Sequence, residues 1–193
     1  MKAGAEFLGL NFFEESPRTL GPDAAANLAL DIKTNFPDVN LVGVFVDENP
    51  EKIRLIADIC ELDVLQFHGK EDPEFCAKFD LPVWKAFRVK NENSFEDLQQ
   101  FLNLDGIVLD AFKKGQFGGT GQTFDWKLIH RIRDEIPFFI LAGGLTPKNI
   151  SKAVKQLKPN VVDICSGIEV DGNPRKKNPE KLAELFEELH KLS

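Results

Sequence analysis

The sequence predicts an α/β chain of the TIM, or (β/α)8, barrel type, N-terminally truncated to about seven βα units. Three observations carry that reading. Short apolar runs alternate with helical patterns along the chain, as they do where parallel strands are joined by crossover helices. Four of the helical patterns open on a capping side chain followed by proline, at Asn49-Pro50, Asp72-Pro73, Thr146-Pro147 and Asn178-Pro179. Two successive late strands run into small-residue turns, at Ala142-Gly143-Gly144 and at Cys165-Ser166-Gly167. Barrels of this type hold phosphate with the loops after their last two strands.

Taken in order, strands are expected near 7–12, 40–46, 63–67, 82–88, 106–110, 138–142 and 161–165. Most are continuous apolar runs, as strands covered on both faces should be. Between them, Ile53, Ile56, Ala57 and Cys60 recur at helical spacing, and so do Leu182, Leu185, Phe186 and Leu189. Ser94-Phe95-Glu96-Asp97 resembles a capping box with Asp in the place of Glu. The strand count reaches seven, whereas a closed barrel has eight. The opening Met1-Lys2-Ala3-Gly4-Ala5 reads as the last turn of a helix with its glycine cap. The expectation is therefore that the chain begins after a first strand and most of its helix; the alternative is an open seven-stranded sheet that is complete as it stands.

Length and composition bound the partners. At 193 residues the chain has room for one domain, 1–193, with a sizeable core. Its net charge of −7 and lack of a basic tract argue against nucleic acid and against an anionic membrane surface. They leave open a small phosphate-bearing ligand held by local backbone donors. The three cysteines show no metal spacing, and their odd, sparse count suits a reducing, cytoplasmic setting. Cys60 and Cys76 fall on apolar helix faces and are expected in the core.

In a (β/α)8 barrel the chemistry sits where strands end. Asp110 closes the run Gly106-Ile107-Val108-Leu109. There it is either a general acid at the barrel mouth or a turn-capping carboxylate. Arg18 lies in the loop after the first visible strand, placed to meet a carboxylate or phosphate or simply solvated. Gln66 and His68 alternate to one side of the third strand, where His68 either donates to a ligand or holds a loop. Lys85 and Arg88 lie in or at the end of the fourth strand. Gly143, Gly144, Ser166 and Gly167 offer close backbone approach to an anion. Residues 111–125, with Gly115, Gly118, Gly119 and Gly121, form a glycine-dense loop, either a lid or a floppy surface loop. Glu169 is placed to order the second turn, and Lys176-Lys177 are expected to face solvent.

Together these pieces resemble a known family. They are Ser16-Pro17-Arg18, Val42-Gly43-Val44-Phe45-Val46, Leu65-Gln66-Phe67-His68-Gly69, Leu109-Asp110, Gly118-Gly119-Thr120-Gly121 with Phe124-Asp125-Trp126, Ala142-Gly143-Gly144-Leu145-Thr146-Pro147-Lys148-Asn149, and Ser166-Gly167-Ile168-Glu169. In this order they resemble the phosphoribosylanthranilate isomerases of tryptophan biosynthesis over nearly the whole chain. The resemblance implies an Amadori rearrangement without metal or organic cofactor. It implies Asp110 as general acid, Arg18 on the anthranilate carboxylate, and the phosphate on Gly143-Gly144 and Ser166-Gly167. His68 joins the substrate-binding set. The family's base, a Cys in a Lys-x-Cys-Gly motif on the first barrel strand, has no counterpart in the sequence. The implied partner is a small phosphosugar, and the implied assembly is a monomer or homodimer. Two alternatives remain at this point: another phosphosugar barrel of the epimerase or thiamine-phosphate synthase type, or a catalytically inert phosphosugar-binding remnant.

Overall fold

In the computed structural model the described residues are 4–89, 91–110 and 126–192. The expected lid at 111–125, with Gly118-Gly119-Thr120-Gly121 and Phe124-Asp125, lies outside them. Contacts divide the chain into two compact units, Met1–Ala86 and Phe87–Ser193.

The first unit runs β1 (Phe7–Asn11), α1 (Pro22–Asn35), β2 (Asn40–Phe45), α2 (Pro50–Ile59), β3 (Val64–Phe67), α3 (Pro73–Cys76) and β4 (Val83–Arg88), whose last two residues cross the division. The strands pair in parallel and in sequence order, β1-β2-β3-β4. All four residues of β3 are buried, as a strand covered on both faces requires. The sheet curls. Phe7 on β1 and Trp84 on β4 are three strands apart, which in a flat sheet is about 14 Å. Their ring centroids are nevertheless 5.1 Å apart. On the other face, Phe67 packs against Phe75 and Phe79. α2 buries Ile53, Ile56 and Ala57, and Cys60 just beyond it is fully buried, as the spacing predicts. Asn49 caps α2 by accepting from the N–H groups of Glu51 and Lys52, and Asp72 caps α3 by accepting from Phe75.

The second unit contains β5 (Gly106–Asp110), α4 (Trp126–Ile132), β6 (Phe139–Ala142), α5 (Pro147–Leu157), β7 (Val161–Val162), β8 (Glu169–Val170), β9 (Asn173–Lys177) and α6 (Pro179–His190). β5, β6 and β7 are parallel and adjacent in that order. α5 lays Ile150, Ala153 and Leu157 into the core; full burial of an Ile or Leu side chain contributes roughly 1.5–3 kcal/mol. Arg133 closes the far end of this unit by donating to the carbonyls of Leu157, Lys158 and Ile136.

The parallel α/β architecture is as predicted, with seven strands in parallel ladders among the described residues. Several details differ. The last of them, β7, stops at Val162 rather than 165. Its ladder continues only through the Asp163 N–H, which donates to Leu141 O, before the backbone turns at Cys165. The segment after it pairs as the antiparallel hairpin β8–β9, although Pro174 and a run of three cations conceal its strand character. The capping box near 94 lies three residues earlier, with Asn91 as its cap. Ser94 and Asn91 close a 3-10 turn at Glu92–Phe95, with Ser94 as the closing residue rather than the cap. Among the described residues, no helix is long and apolar enough to cross a membrane.

Candidate active site

β5 and β6 are in register as Ile107↔Phe139 through Asp110↔Ala142. The half-buried Asp110 therefore ends its strand beside the residue that precedes Gly143. The turn that follows has two successive left-handed residues, Gly143 (φ 88°) and Gly144 (φ 64°). Among the described residues a Cβ on Gly144 would meet nothing within 4 Å, so within the fold it is the left-handed conformation that calls for glycine there. The turn delivers the chain to the N-terminus of α5, where Thr146 is the cap and Pro147 the first helical residue. Asn149 locks it from inside the helix. Its Oδ1 accepts from Thr146 N at 2.8 Å, and its Nδ2 donates to Gly144 O at 3.0 Å.

Gly167, on the second turn, is glycine for a different reason. A Cβ there would collide with the carbonyl oxygen of Leu145 and crowd the Thr146 backbone. The sequence suggests that smallness at this position admits a ligand, but the space it saves is taken by the first turn. The two turns thus lie backbone to backbone, and Asp110, Gly143, Gly144, Ser166 and Gly167 belong to one rim of strand ends within the second unit.

The second turn is anchored from behind. Lys177 Nζ donates to Cys165 O at 3.0 Å and pairs with the buried Glu169 carboxylate at 3.2 Å. Lys181 Nζ donates to Glu169 O at 2.9 Å. Asn178 N donates to Ile168 O at 2.8 Å. Glu169 does order this turn, as its position implies. Lys176 and Lys177 are exposed, as expected, and Lys177 is also a tether, because the β8–β9 hairpin folds it back over Cys165. Cys165 itself is exposed, with its Sγ 3.5 Å from Glu169 Oε1 and 3.6 Å from Lys177 Nζ.

In the first unit, Arg18 is half-buried in a loop knotted by local bonds. Ser16 Oγ accepts from Arg18 N at 3.2 Å, Ser16 O accepts from Thr19 N, and Asn11 O accepts from Leu20 N. His68 follows β3, and its ring lies on the same side as Gln66, as alternation predicts. The Gln66 amide nitrogen is 2.6 Å from His68 Nε2. The two side chains therefore form one hydrogen-bonded pair at the end of β3.

Sequence reasoning missed a charged pair behind this turn. Lys85 and Glu71 side chains are 4% and 2% exposed and 2.7 Å apart. Lys85 Nζ also donates to Gly69 O at 2.8 Å, and the other Glu71 oxygen accepts from Asp47 N at 2.7 Å. A lysine within the apolar run Val83-Trp84-Lys85-Ala86-Phe87 was the available signal. A buried charge needs a partner, and Glu71 is the nearest acidic residue after the preceding strand. Among the described residues, no group of three or more His, Cys, Asp or Glu side chains is arranged to hold a metal ion.

The chain as a whole is similar to known proteins. The family model for N-(5'-phosphoribosyl)anthranilate (PRA) isomerase matches residues 1–188. The chain is 39% identical over 193 residues to the N-(5'-phosphoribosyl)anthranilate isomerase of Geobacter sp. strain M21, covering 100% of this chain and 91% of that protein. The crystal structure of phosphoribosyl anthranilate isomerase from Thermotoga maritima matches with a TM-score of 0.89 at 34% identity, over 98% of this chain and 90% of that one. A phosphoribosyl anthranilate isomerase in complex with reduced 1-(o-carboxyphenylamino)-1-deoxyribulose 5-phosphate matches with a TM-score of 0.86 at 32% identity, over the same shares of the two chains. With a family model spanning nearly all of its length and a relative of this identity along the whole of it, the chain belongs to the N-(5'-phosphoribosyl)anthranilate isomerase family.

Proposed function

We propose that this chain converts N-(5-phosphoribosyl)anthranilate to 1-(2-carboxyphenylamino)-1-deoxyribulose 5-phosphate in tryptophan biosynthesis. The observation that supports it is the single rim carrying Asp110 beside two abutting glycine-bearing turns. In this reading the substrate phosphate takes backbone N–H groups at Gly143-Gly144 and Ser166-Gly167, close to the N-terminus of α5. Arg18 takes the anthranilate carboxylate as a charge-assisted pair. His68 donates to the sugar.

Asp110 starts the chemistry as the protonated acid. It gives its proton to the ribose ring oxygen while the C1–O bond breaks. The anilinic nitrogen lone pair forms the C1=N bond, leaving an open-chain Schiff base. Loss of the C2 proton to a base then sends the C2–H electrons into C1=C2 and neutralises the nitrogen. The resulting enolamine tautomerises to the ketone. No step calls for a metal or organic cofactor. The working setting is the cytoplasm, the partner is the phosphosugar itself with neither nucleic acid nor membrane, and the assembly is a monomer or homodimer.

The acid is present, but the 193 residues contain no Lys-x-Cys-Gly base. A positioned acid or base contributes about 10²–10⁴-fold. Turnover by this chain alone should therefore trail that of its relatives by a factor in that range, while binding is kept. The test pairs complementation of a tryptophan auxotroph lacking this isomerase with chromatographic assay of the purified chain. Slow product formation, abolished by Asp110→Asn, supports the reading. Binding of the reduced product analogue with no detectable product supports the inert phosphosugar-binding remnant instead. Failure to bind the analogue at all defeats both.

A further inference from the structure

The buried Lys85–Glu71 pair lies outside the chemistry just described, and its cost asks for a reason. Moving two charges out of water is costly, and a well-packed apolar pair is often as stable or more so. In parallel pairing Phe67 stands beside Lys85, and Gln66 beside Trp84. Lys85 thus shares the face of Phe67, which packs against Phe75 and Phe79, opposite the face of Gln66 and His68. The pair sits directly behind the His68-Gly69 turn.

Its hydrogen bonds converge on that turn. Lys85 Nζ holds Gly69 O at 2.8 Å and Glu71 Oε2 at 2.7 Å. Glu71 Oε1 holds Asp47 N at 2.7 Å. Asp47 in turn accepts from Lys70 N through Oδ1, and its φ of 48° is left-handed. A Cβ on Gly69 would collide with the Asp47 carboxylate and backbone. The ends of β2 and β3 and the side of β4 are thereby tied to one peptide, the one joining Gly69 to Lys70. His68 is the residue before it, with its own N–H fixed to Phe45 O at 2.9 Å.

We propose that Lys85 and Glu71 are positioning residues that act through the Gly69 carbonyl to set the His68 imidazole for the phosphosugar substrate. This inference rests on the isomerase reading for the identity of the ligand, but not for the arrangement of the turn. It gives the buried charges a role that apolar side chains of the same volume lack. Lys85 Nζ holds Gly69 O and the Glu71 carboxylate together, which an apolar side chain cannot do.

The experiment uses the full 193-residue chain and the double variant Lys85→Met/Glu71→Gln, which removes both charges and leaves neither unpaired. Thermal melting checks that it folds. The chain has three histidines, so ¹⁵N-histidine spectra report each ring, with His68→Gln assigning its signals. Calorimetry measures affinity for the reduced product analogue and, separately, for inorganic phosphate. The expected result is an altered ring-nitrogen pattern for His68 alone, with His130 and His190 unchanged. Analogue affinity should fall about tenfold while phosphate affinity stays within twofold. A folded double variant with the native His68 pattern and native analogue affinity overturns the proposal. If the native chain fails to bind the analogue, the isomerase reading falls, and the His68 spectrum alone decides the positioning role. If the double variant does not fold, Lys85→Arg is read in its place. Arginine keeps the charge but not the single-nitrogen geometry, so an unchanged His68 spectrum there also overturns it.

Discussion

At the scale of single residues, the two turns hold their glycines for separable reasons, and substitution should separate them. Gly144 has open space where a side chain would go but a φ of 64°. Gly144→Ala should cost about 1–2 kcal/mol in urea unfolding, the penalty of a left-handed residue with a Cβ. Gly144→Asn should recover part of it, because asparagine visits that region more readily. At Gly167 the obstacle is the Leu145 carbonyl, and no choice of side chain relieves it. Gly167→Ala should lose roughly 1–3 kcal/mol, as an overpacked contact does. It should also weaken phosphate binding more than Gly144→Asn does, because it pushes the two turns apart. Equal losses for all three variants would contradict the structural distinction. The sequence revealed that these positions are glycine-dependent. Whether conformation or contact makes them so depends on which backbone lies opposite, and no local pattern carries that.

At the scale of elements, legibility tracks how local the determining physics is. Caps were readable because the cap and the N–H groups it satisfies lie within three residues. Asn49 and Asn178 each accept from two such groups, and Asp72 from one. Buried strands were readable from continuous apolar runs. β8–β9 was missed because its strands are short and polar, and its purpose is a tether from Lys177 to Cys165 O and Glu169. Glu71 escaped for a similar reason, since its partners lie on β4 and after β2. The start of α2 also makes a pH prediction. Glu48 bonds Lys52 at 2.6 Å and the Asn49 N–H at 2.9 Å. Partial burial alone would raise its pKa, but the Lys52 hydrogen bond, helped by Asn49, leaves it below 4.5. Lys52 is raised above 10.5 by its bonds to Glu48 and Glu14. A lowered carboxylate pKa stabilises the fold above the unfolded value, and that gain is lost as the pH falls through the folded one. A raised lysine pKa stabilises below the unfolded value and is lost as the pH rises. Glu48→Gln should therefore lower stability near neutrality, by a few tenths of a kcal/mol given the exposure of the pair. The gap should close below about pH 4 and above about pH 10.5. Chemical denaturation of both proteins across that range measures it, and a pH-independent gap would exclude the ion pair as its cause.

Across the whole molecule, cysteine chemistry joins the core to the rim and yields one further prediction. The sequence placed Cys60 and Cys76 on apolar helix faces, and both are buried, whereas Cys165 is exposed. Burial pushes the Cys76 thiol up to about 11; nearby Lys85 opposes the shift, and Glu71 and Asp72 reinforce it. Burial alone raises Cys60. At pH 8 a thiol of pKa about 11 is roughly a hundredfold poorer in thiolate than an ordinary cysteine, before any steric protection. A thiol reagent added to the native chain should therefore modify one cysteine quickly, and all three only after unfolding. Mass mapping should place the fast label at Cys165. That residue directly precedes Ser166 on the turn assigned to phosphate, so saturating inorganic phosphate should slow its labelling severalfold and leave the slow phase unchanged. Fast modification of two or three thiols in the native state would contradict the core described for the first unit. Labelling of Cys165 that ignores phosphate at every concentration would instead remove Ser166-Gly167 from the anion site and leave Gly143-Gly144 to hold the substrate alone.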